Sequence, residues 1–248
     1  MDSGEKNKYG LLGKDISYSF SEKYFKEKFI KEGRLDCSYQ NFDLKNISEI
    51  SDLMTQKDLK GLNVTIPYKE EVLGFLDYVD PIAKEIGAVN TIKFTAQGTV
   101  GYNTDLIGFK TSFSPLLDKN HKKALILGTG GASKAIAYAL KELQIKASYV
   151  SRNPTKDQLS YAAIDHTVMK EHQIIINCSP VGTFPNIDEK PKLPYEHIHA
   201  GYIVYDLVYN PETSALLAMA KSKGAQIKNG YDMLVGQAEG SWQIWNEA

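Results

Sequence analysis

Lys69 closes the stretch NVTIPYK, residues 63–69, and Asp105 lies within GYNTDLIGF, residues 101–109. An ammonium and a carboxylate that meet in a cleft can run a proton transfer. Reduction of a ketone by hydride leaves an alkoxide that must receive a proton. A lysine desolvated by a closing cleft has its pKa lowered enough to deliver that proton, and a carboxylate holds it in place while partly opposing the shift. The reverse reaction uses the same lysine as base. Both residues also have plain structural readings. A lysine on the rim of an α/β protein is usually a solvated charge, and an aspartate at a helix start caps the helix and complements its dipole. Position favours chemistry for Lys69. The run Leu62, Val64, Ile66 alternates like a strand, Pro67 ends it, and open α/β sheets place ligands just past the carboxyl ends of strands.

Further polar residues gather at the ends of elements in the same half of the chain. Ser19 and Ser21 precede the first helical pattern in ISYSFSEKYF, and Ser19 with Glu22 fits a capping box. One of these hydroxyls is then a helix cap and the other is free for a ligand. Asn63 and Thr65 lie on the run leading to Lys69, Asn90 in GAVNT, and Gln237 in MLVGQAEGS. Taken singly, each is more often a satisfied backbone partner than a ligand contact. Together they describe a pocket of hydroxyl and amide groups suited to a small polyhydroxylated substrate.

A second constellation starts where the apolar run ALIL passes into GTGGASKAIAYAL. Gly128 permits a tight turn, Gly130 and Gly131 let backbone approach a pyrophosphate, and the helix that follows offers amide donors and the positive end of its dipole. Ser133 stands where the usual fingerprint has a third glycine or alanine. About 20 residues on, an NAD-binding unit presents an acidic side chain to the ribose. Here KASYVS is followed instead by Arg152, Asn153, Pro154, Thr155 and Lys156. A carboxylate would repel a 2′-phosphate, whereas a guanidinium grips one with paired charge-assisted hydrogen bonds. The composition of this loop favours NADP(H) over NAD(H).

These residues need elements to hold them. Strand-like runs alternate with helical patterns along the whole chain, the signature of βα units around largely parallel sheets. KYGLL, CSYQNF and GLNVT read as strands, SEKYFKEKFIKEG as a helix stopped by Gly33, and YKEEVLGFL as a short helix. AVNTIKF and TVGY flank Ala96, Gln97 and Gly98 as a hairpin. KKALILG, KASYVSR, QIIINCS, YIVYDLV and AQIKN continue the strand series, and the aromatic segment YDMLVGQAEGSWQIWNEA returns as a helix onto the first domain. The expected fold class is α/β, with two domains and a cleft expected between them. An open α/β substrate domain spans residues 1–104 plus 229–248, and a Rossmann-type nucleotide domain spans 105–228.

Composition removes other classes. The net charge of -1 over 248 residues gives no global attraction for nucleic acid or an anionic membrane. No apolar stretch approaches the ~18 residues that span a bilayer, and the start MDSGEKNK lacks a signal peptide's hydrophobic segment. Cys37 and Cys178 form no C-x-x-C pair, so a reducing, cytoplasmic setting is expected, with Cys178 a small buried hydrophobe. His197 and His199 have i, i+2 spacing, but no carboxylate–histidine set nearby completes a metal site, so metal-dependent hydrolysis finds no support.

The pattern G-x-x-I-x-x-S-x-S (Gly13, Ile16, Ser19, Ser21), then NVTIPYK, GAVNTI, GYNTD-x-x-G, LGTGGAS, SRN, INCSPVG and DMLVGQAE, resembles the shikimate dehydrogenase family in order and rough spacing. That resemblance covers nearly the whole chain. It implies NADP-dependent, reversible reduction of 3-dehydroshikimate to shikimate, a step in aromatic amino-acid (chorismate) biosynthesis, by a monomer or homodimer. By motif, Lys69 and Asp105 become the catalytic dyad, and Ser19, Ser21, Thr65, Asn90, Asp105, Tyr209 and Gln237 the substrate contacts. Gly128, Gly130, Gly131, Ala132, Ser133, Ser151, Arg152 and Lys156 surround the cofactor, with Gly230 near its nicotinamide end. Three positions depart from the family pattern: Tyr18 replaces a frequent histidine, Glu22 a proline and Leu106 a glycine. An NAD-dependent relative acting on quinate or another cyclic polyol is the nearest alternative. A catalytically silent NADP-binding regulator is the alternative of a different class.

Overall fold

The computed structural model describes residues 7–17 and 19–247. The chain divides into two compact units, Met1–Thr104 with Ala238–Ala248 and Asp105–Gln237. Sequence patterning put the return to the first unit at 229; the division falls at 238, within a helix.

The first unit holds a six-stranded sheet of β1 (Asn7–Gly13), β2 (Cys37–Asp43), β3 (Leu59–Val64), β4 (Tyr78–Val79), β5 (Thr91–Thr95) and β6 (Gly98–Tyr102), in the order β2-β1-β3-β5-β6-β4. β1 runs parallel to β2 and β3, while β5 is antiparallel to β3 and to β6. Thr95 pairs with Gly98, which leaves Ala96 and Gln97 as the two-residue hairpin loop. Helices α1 (Phe20–Lys31), α2 (Ile50–Met54) and α3 (Pro81–Ile86) flank this sheet in sequence. Local chemistry explains α3: the Asp80 carboxylate accepts from the Ile82 and Ala83 N–H groups, and Pro81 supplies a preset φ at the first helical position. The segment read as a short helix after Lys69 is instead a 3₁₀ stretch, Glu71–Phe75.

The second unit is built on β7 (Lys123–Leu127), β8 (Lys146–Ser151), β9 (Leu159–Ser160), β10 (Ile174–Asn177), β11 (Ile203–Asp206) and β12 (Gln226–Asn229). Their order is β12-β11-β10-β7-β8-β9, and every pair is parallel. Chain order therefore reverses between β7 and β10, the topological switch point at which doubly wound sheets bind dinucleotides. The central strands are apolar throughout because both faces are covered; Leu125, Leu127, Ile175 and Val204 share one core with Leu216, Leu217 and Ala220. The helices of this unit are α4 (Asp105–Phe113), α5 (Gly131–Glu142), α6 (His166–Glu171) and α7 (Ala215–Ser222).

The last helix, α8 (Tyr231–Asn246), begins in the second unit and ends in the first. Its final turns deliver Trp242 and Trp245 into a core with Tyr9, Phe25, Phe29 and Tyr39. Phe25 stacks on Tyr39 with ring centroids 4.5 Å apart, and Tyr9 lies 4.9 Å from Trp245. Burial pushes the Tyr9 hydroxyl up to about 12. Among the described residues, no helix is long and apolar enough to cross a membrane.

Candidate active site

The glycine turn lies at the switch point. β7 ends at Leu127, and Gly128 follows with φ +109°, a conformation that side chains rarely adopt. A Cβ there would also stand 3.2 Å from the Ser179 nitrogen and 3.3 Å from the Cys178 carbonyl, so backbone from the loop after β10 passes directly over this glycine. Gly130 is the N-cap of α5 and has no side chain to cap it. A Cβ at Gly130 would meet nothing within 4 Å, so open space adjoins the end of the helix. Uncapped first-turn amides beside open space are what a pyrophosphate needs.

Ser133 is fully buried, and its N–H and hydroxyl both bond the Gly130 carbonyl, at 2.9 and 2.7 Å. Its hydroxyl closes the turn, the close-packing part that the third fingerprint position plays. Ala132 is half-buried in the first turn of α5.

At the end of β8, the Ser151 hydroxyl accepts from the Asn153 N–H at 3.2 Å and shapes the loop that exposes Arg152 and Lys156. Arg152 is near enough to Tyr161 to oppose the upward push of burial on that phenol. Gly230 follows β12, where any Cβ would overlap the Leu207 carbonyl. These residues fit an NADP-type cofactor: an uncapped helix start for the pyrophosphate, and Arg152 rather than a carboxylate directly after β8, with Lys156 four residues on.

Within the first unit, Ser19 rather than Ser21 caps α1, its hydroxyl accepting from the Ser21 N–H at 3.1 Å. The Glu22 carboxylate does not complete a capping box and instead pairs with Lys26 at 2.5 Å. Ser21 is buried, beside the equally buried Tyr39. The Tyr39 hydroxyl donates to Asn63 Oδ1 at 2.8 Å, which turns the Asn63 amide nitrogen toward Ser241 Oγ, 2.7 Å away on α8. Ser241 and Thr91 hydroxyls lie 2.7 Å apart, and Thr91 donates to Asn90 Oδ1. The Thr104 N–H donates to the same oxygen at 2.7 Å. A buried polar chain thus runs from Tyr39 through Asn63, Ser241 and Thr91 to Asn90 and to Thr104, the residue preceding Asp105. Asn63 was visible as a polar strand residue; Thr91, Thr104 and Ser241 carried no local signal, since only the sheet register and the returning helix bring them together.

Lys69 is half-buried in the loop after β3, and its carbonyl accepts from the Val89 N–H at 2.7 Å. The neighbouring Tyr68 anchors that loop by donating to the Leu44 carbonyl at 2.8 Å. Thr65 is half-buried at the end of β3, its N–H bonded to the Leu12 carbonyl. Asp105 opens α4 and is 4% exposed. Leu106 beside it is buried, and Tyr18 lies outside the described residues. Gln237, on α8, is buried and donates to the Leu234 carbonyl at 3.0 Å. Tyr209 is half-buried on the turn after β11.

One further group carries no motif in the sequence. Asp206, 0% exposed at the end of β11, accepts from Asn177 Nδ2 at 2.9 Å, the Val208 N–H at 3.1 Å and the Ser214 hydroxyl at 2.5 Å. Burial raises its carboxyl to about 6 against these three bonds. The available signal was that INCS and YDLV each end an apolar strand in a polar residue, and those two residues are register partners.

The model of the shikimate dehydrogenase substrate binding domain matches residues 11–92. The NADP+-dependent shikimate dehydrogenase of Clostridium botulinum is 38% identical over 95% of this chain and 95% of its own length. This chain belongs to the shikimate dehydrogenase family. A crystal structure of shikimate dehydrogenase from Aquifex aeolicus, 34% identical, superimposes with a TM-score of 0.86 over 99% of this chain and 94% of that one. The Thermus thermophilus shikimate 5-dehydrogenase, solved in complex with NADP(H) and shikimate, is 28% identical with a TM-score of 0.85 over 96% and 93%. The two-domain α/β architecture and the Rossmann-type domain are those of the family.

Proposed function

We propose that this member of the shikimate dehydrogenase family reduces 3-dehydroshikimate reversibly to shikimate with NADPH, in aromatic amino-acid biosynthesis. The 38% identity to an NADP+-dependent shikimate dehydrogenase over nearly the full length of both chains carries this reading. NADPH supplies the hydride. Lys69 gives the proton to the oxygen that becomes the alcohol and takes it back in the oxidation direction; Asp105 orients the ammonium. Support for this pair lies in the anchored loop that carries Lys69 and in the burial of Asp105 at a helix start, since a buried carboxylate requires a partner.

Ser19, Ser21, Thr65, Asn90, Tyr209 and Gln237 are assigned to the hydroxyl and carboxylate groups of the substrate. Gly128, Gly130, Gly131, Ala132 and Ser133 form the pyrophosphate turn, Ser151, Arg152 and Lys156 the adenosine end, and Gly230 the nicotinamide end. The protein works on a small molecule as a monomer or homodimer. Its free cysteines, Cys37 and Cys178, suit a reducing cytoplasm.

The test is loss of NADPH absorbance with 3-dehydroshikimate, repeated with 3-dehydroquinate and with NADH. Fast turnover only with the first substrate and NADPH is the expected result. Preference for 3-dehydroquinate with NADH would move the chain to the quinate-type reading, and cofactor binding with no turnover on either would make it a silent regulator.

A further inference from the structure

The loop that crosses the glycine turn is held by a single buried carboxylate. Asp206 Oδ1 accepts from Asn177 Nδ2, and this bond fixes which end of the Asn177 amide faces which way. Asn177 Oδ1 is thereby presented to Ser179, whose N–H and hydroxyl donate to it at 3.1 and 2.6 Å. That bends the chain after β10 so that Cys178 and Ser179 backbone covers Gly128. The same Asp206 oxygen accepts from the Val208 N–H, one residue before Tyr209, and the Leu207 N–H bonds the Asn177 carbonyl. Asp206 Oδ2 takes the Ser214 hydroxyl, whose oxygen also caps α7. Three segments at the carboxyl edge of the sheet, on the β10 side of the switch point, are thus tied to one side chain.

We propose that Asp206 is a positioning residue for the cofactor. Its carboxylate orients Asn177, and through it the Cys178–Ser179 backbone, against the Gly128 turn that receives the dinucleotide. This rests on the reading that NADP binds at that turn. The ionisable groups that feel Asp206 are Cys178, on the loop after β10, and Tyr195, in the turn Tyr195–His197; burial pushes both up, so both are neutral near neutral pH.

The experiment is a titration of the full chain with NADP+ by calorimetry. Asp206→Ala strands the Asn177 and Val208 donors and is expected to weaken NADP+ by roughly tenfold or more. The KM for shikimate at saturating NADP+ should stay within about threefold of wild type. Asp206→Asn keeps an oxygen for the same two donors and should restore affinity to within about threefold. Asn177→Asp is isosteric but sets two carboxylates face to face. It should bind NADP+ poorly at alkaline pH and recover as pH falls, starting above the pH of about 6 at which Asp206 alone titrates, because one shared proton rebuilds the bridge. This last variant decides the question if Asp206→Ala does not fold. A folded Asp206→Ala that binds NADP+ like wild type, equal losses for NADP+ and shikimate, or an Asn177→Asp with no recovery at low pH would each overturn the proposal. Failure of the wild type itself to bind NADP+ would instead remove the cofactor reading.

Discussion

Gly61 lies against Trp245 so closely that a Cβ on it would overlap the indole ring. The same indole donates from Nε1 to the Ile92 carbonyl at 2.9 Å, on the strand beside Gly61. The returning helix is therefore seated by shape and by one directed bond. Gly61→Ala should displace the indole and cost about 1–3 kcal/mol, the usual price of an overpacked core. A thermal melt followed by tryptophan fluorescence reads this directly. An unchanged midpoint would mean that the helix end sits loosely.

The buried Ser241 hydroxyl receives the Asn63 amide and meets Thr91. Ser241→Ala leaves the Asn63 donor with only longer contacts, to Thr91 at 3.4 Å and the Asn90 carbonyl at 3.5 Å. A buried donor deprived of its partner costs about 1–3 kcal/mol. Chemical denaturation should show that loss, and shikimate should partly restore stability if the chain ending at Asn90 faces substrate.

Asp206 makes stability pH-dependent. Its carboxyl titrates near 6 in the folded chain against the usual 3.8. The folded state therefore holds an extra proton between those values, and stability falls as pH rises through that window. The penalty amounts to roughly 3 kcal/mol above pH ~6 and vanishes below pH ~4. Asp206→Asn removes this titration, so the variant should gain on wild type as pH is raised across the same interval. Urea unfolding at the two ends of the interval measures it, and a constant difference between the two proteins would show that Asp206 ionises normally.

Lys69→Ala should slow turnover of 3-dehydroshikimate by about 10²–10⁴-fold, the range of a general acid's contribution, with NADPH affinity nearly intact. Single-turnover kinetics separates the two quantities. Activity within about tenfold of wild type would reassign the proton donor.

If Arg152 holds the 2′-phosphate as proposed, Arg152→Ala should weaken NADPH by roughly tenfold or more and leave NADH nearly unaffected, because only the former carries that phosphate. Direct titration with both cofactors gives the ratio. Equal losses would place the 2′-phosphate elsewhere, with Lys156 the next candidate.

Much of the architecture is legible in the sequence, because its signals are local. The apolar runs around Leu125, Ile175 and Val204 are long and bounded, the hairpin is marked by its turn, and the glycine turn sits between a clear strand and a clear helix. What escaped was short or non-local. β4 and β9 have two residues each, and α2, α3 and α6 have five or six, too few for a hydrophobic period to register. Spacing leaves Ser19 and Ser21 equivalent as caps; only the backbone at the start of α1, which brings the Ser21 N–H to the Ser19 hydroxyl, separates them. Asn177 with Asp206, and Asn63 with Ser241, are 29 and 178 residues apart, and no local rule pairs them.

The aromatic core of the first unit has a consequence for assembly on the ribosome. Tyr9, Phe25, Phe29 and Tyr39 emerge early, yet Trp242 and Trp245 that complete their cluster come more than two hundred residues later. The second unit is contiguous and can fold while that socket stands unfilled. The first unit matures only when the late tryptophans arrive, so a released chain truncated before residue 242 should leave the aromatic core of the first unit open.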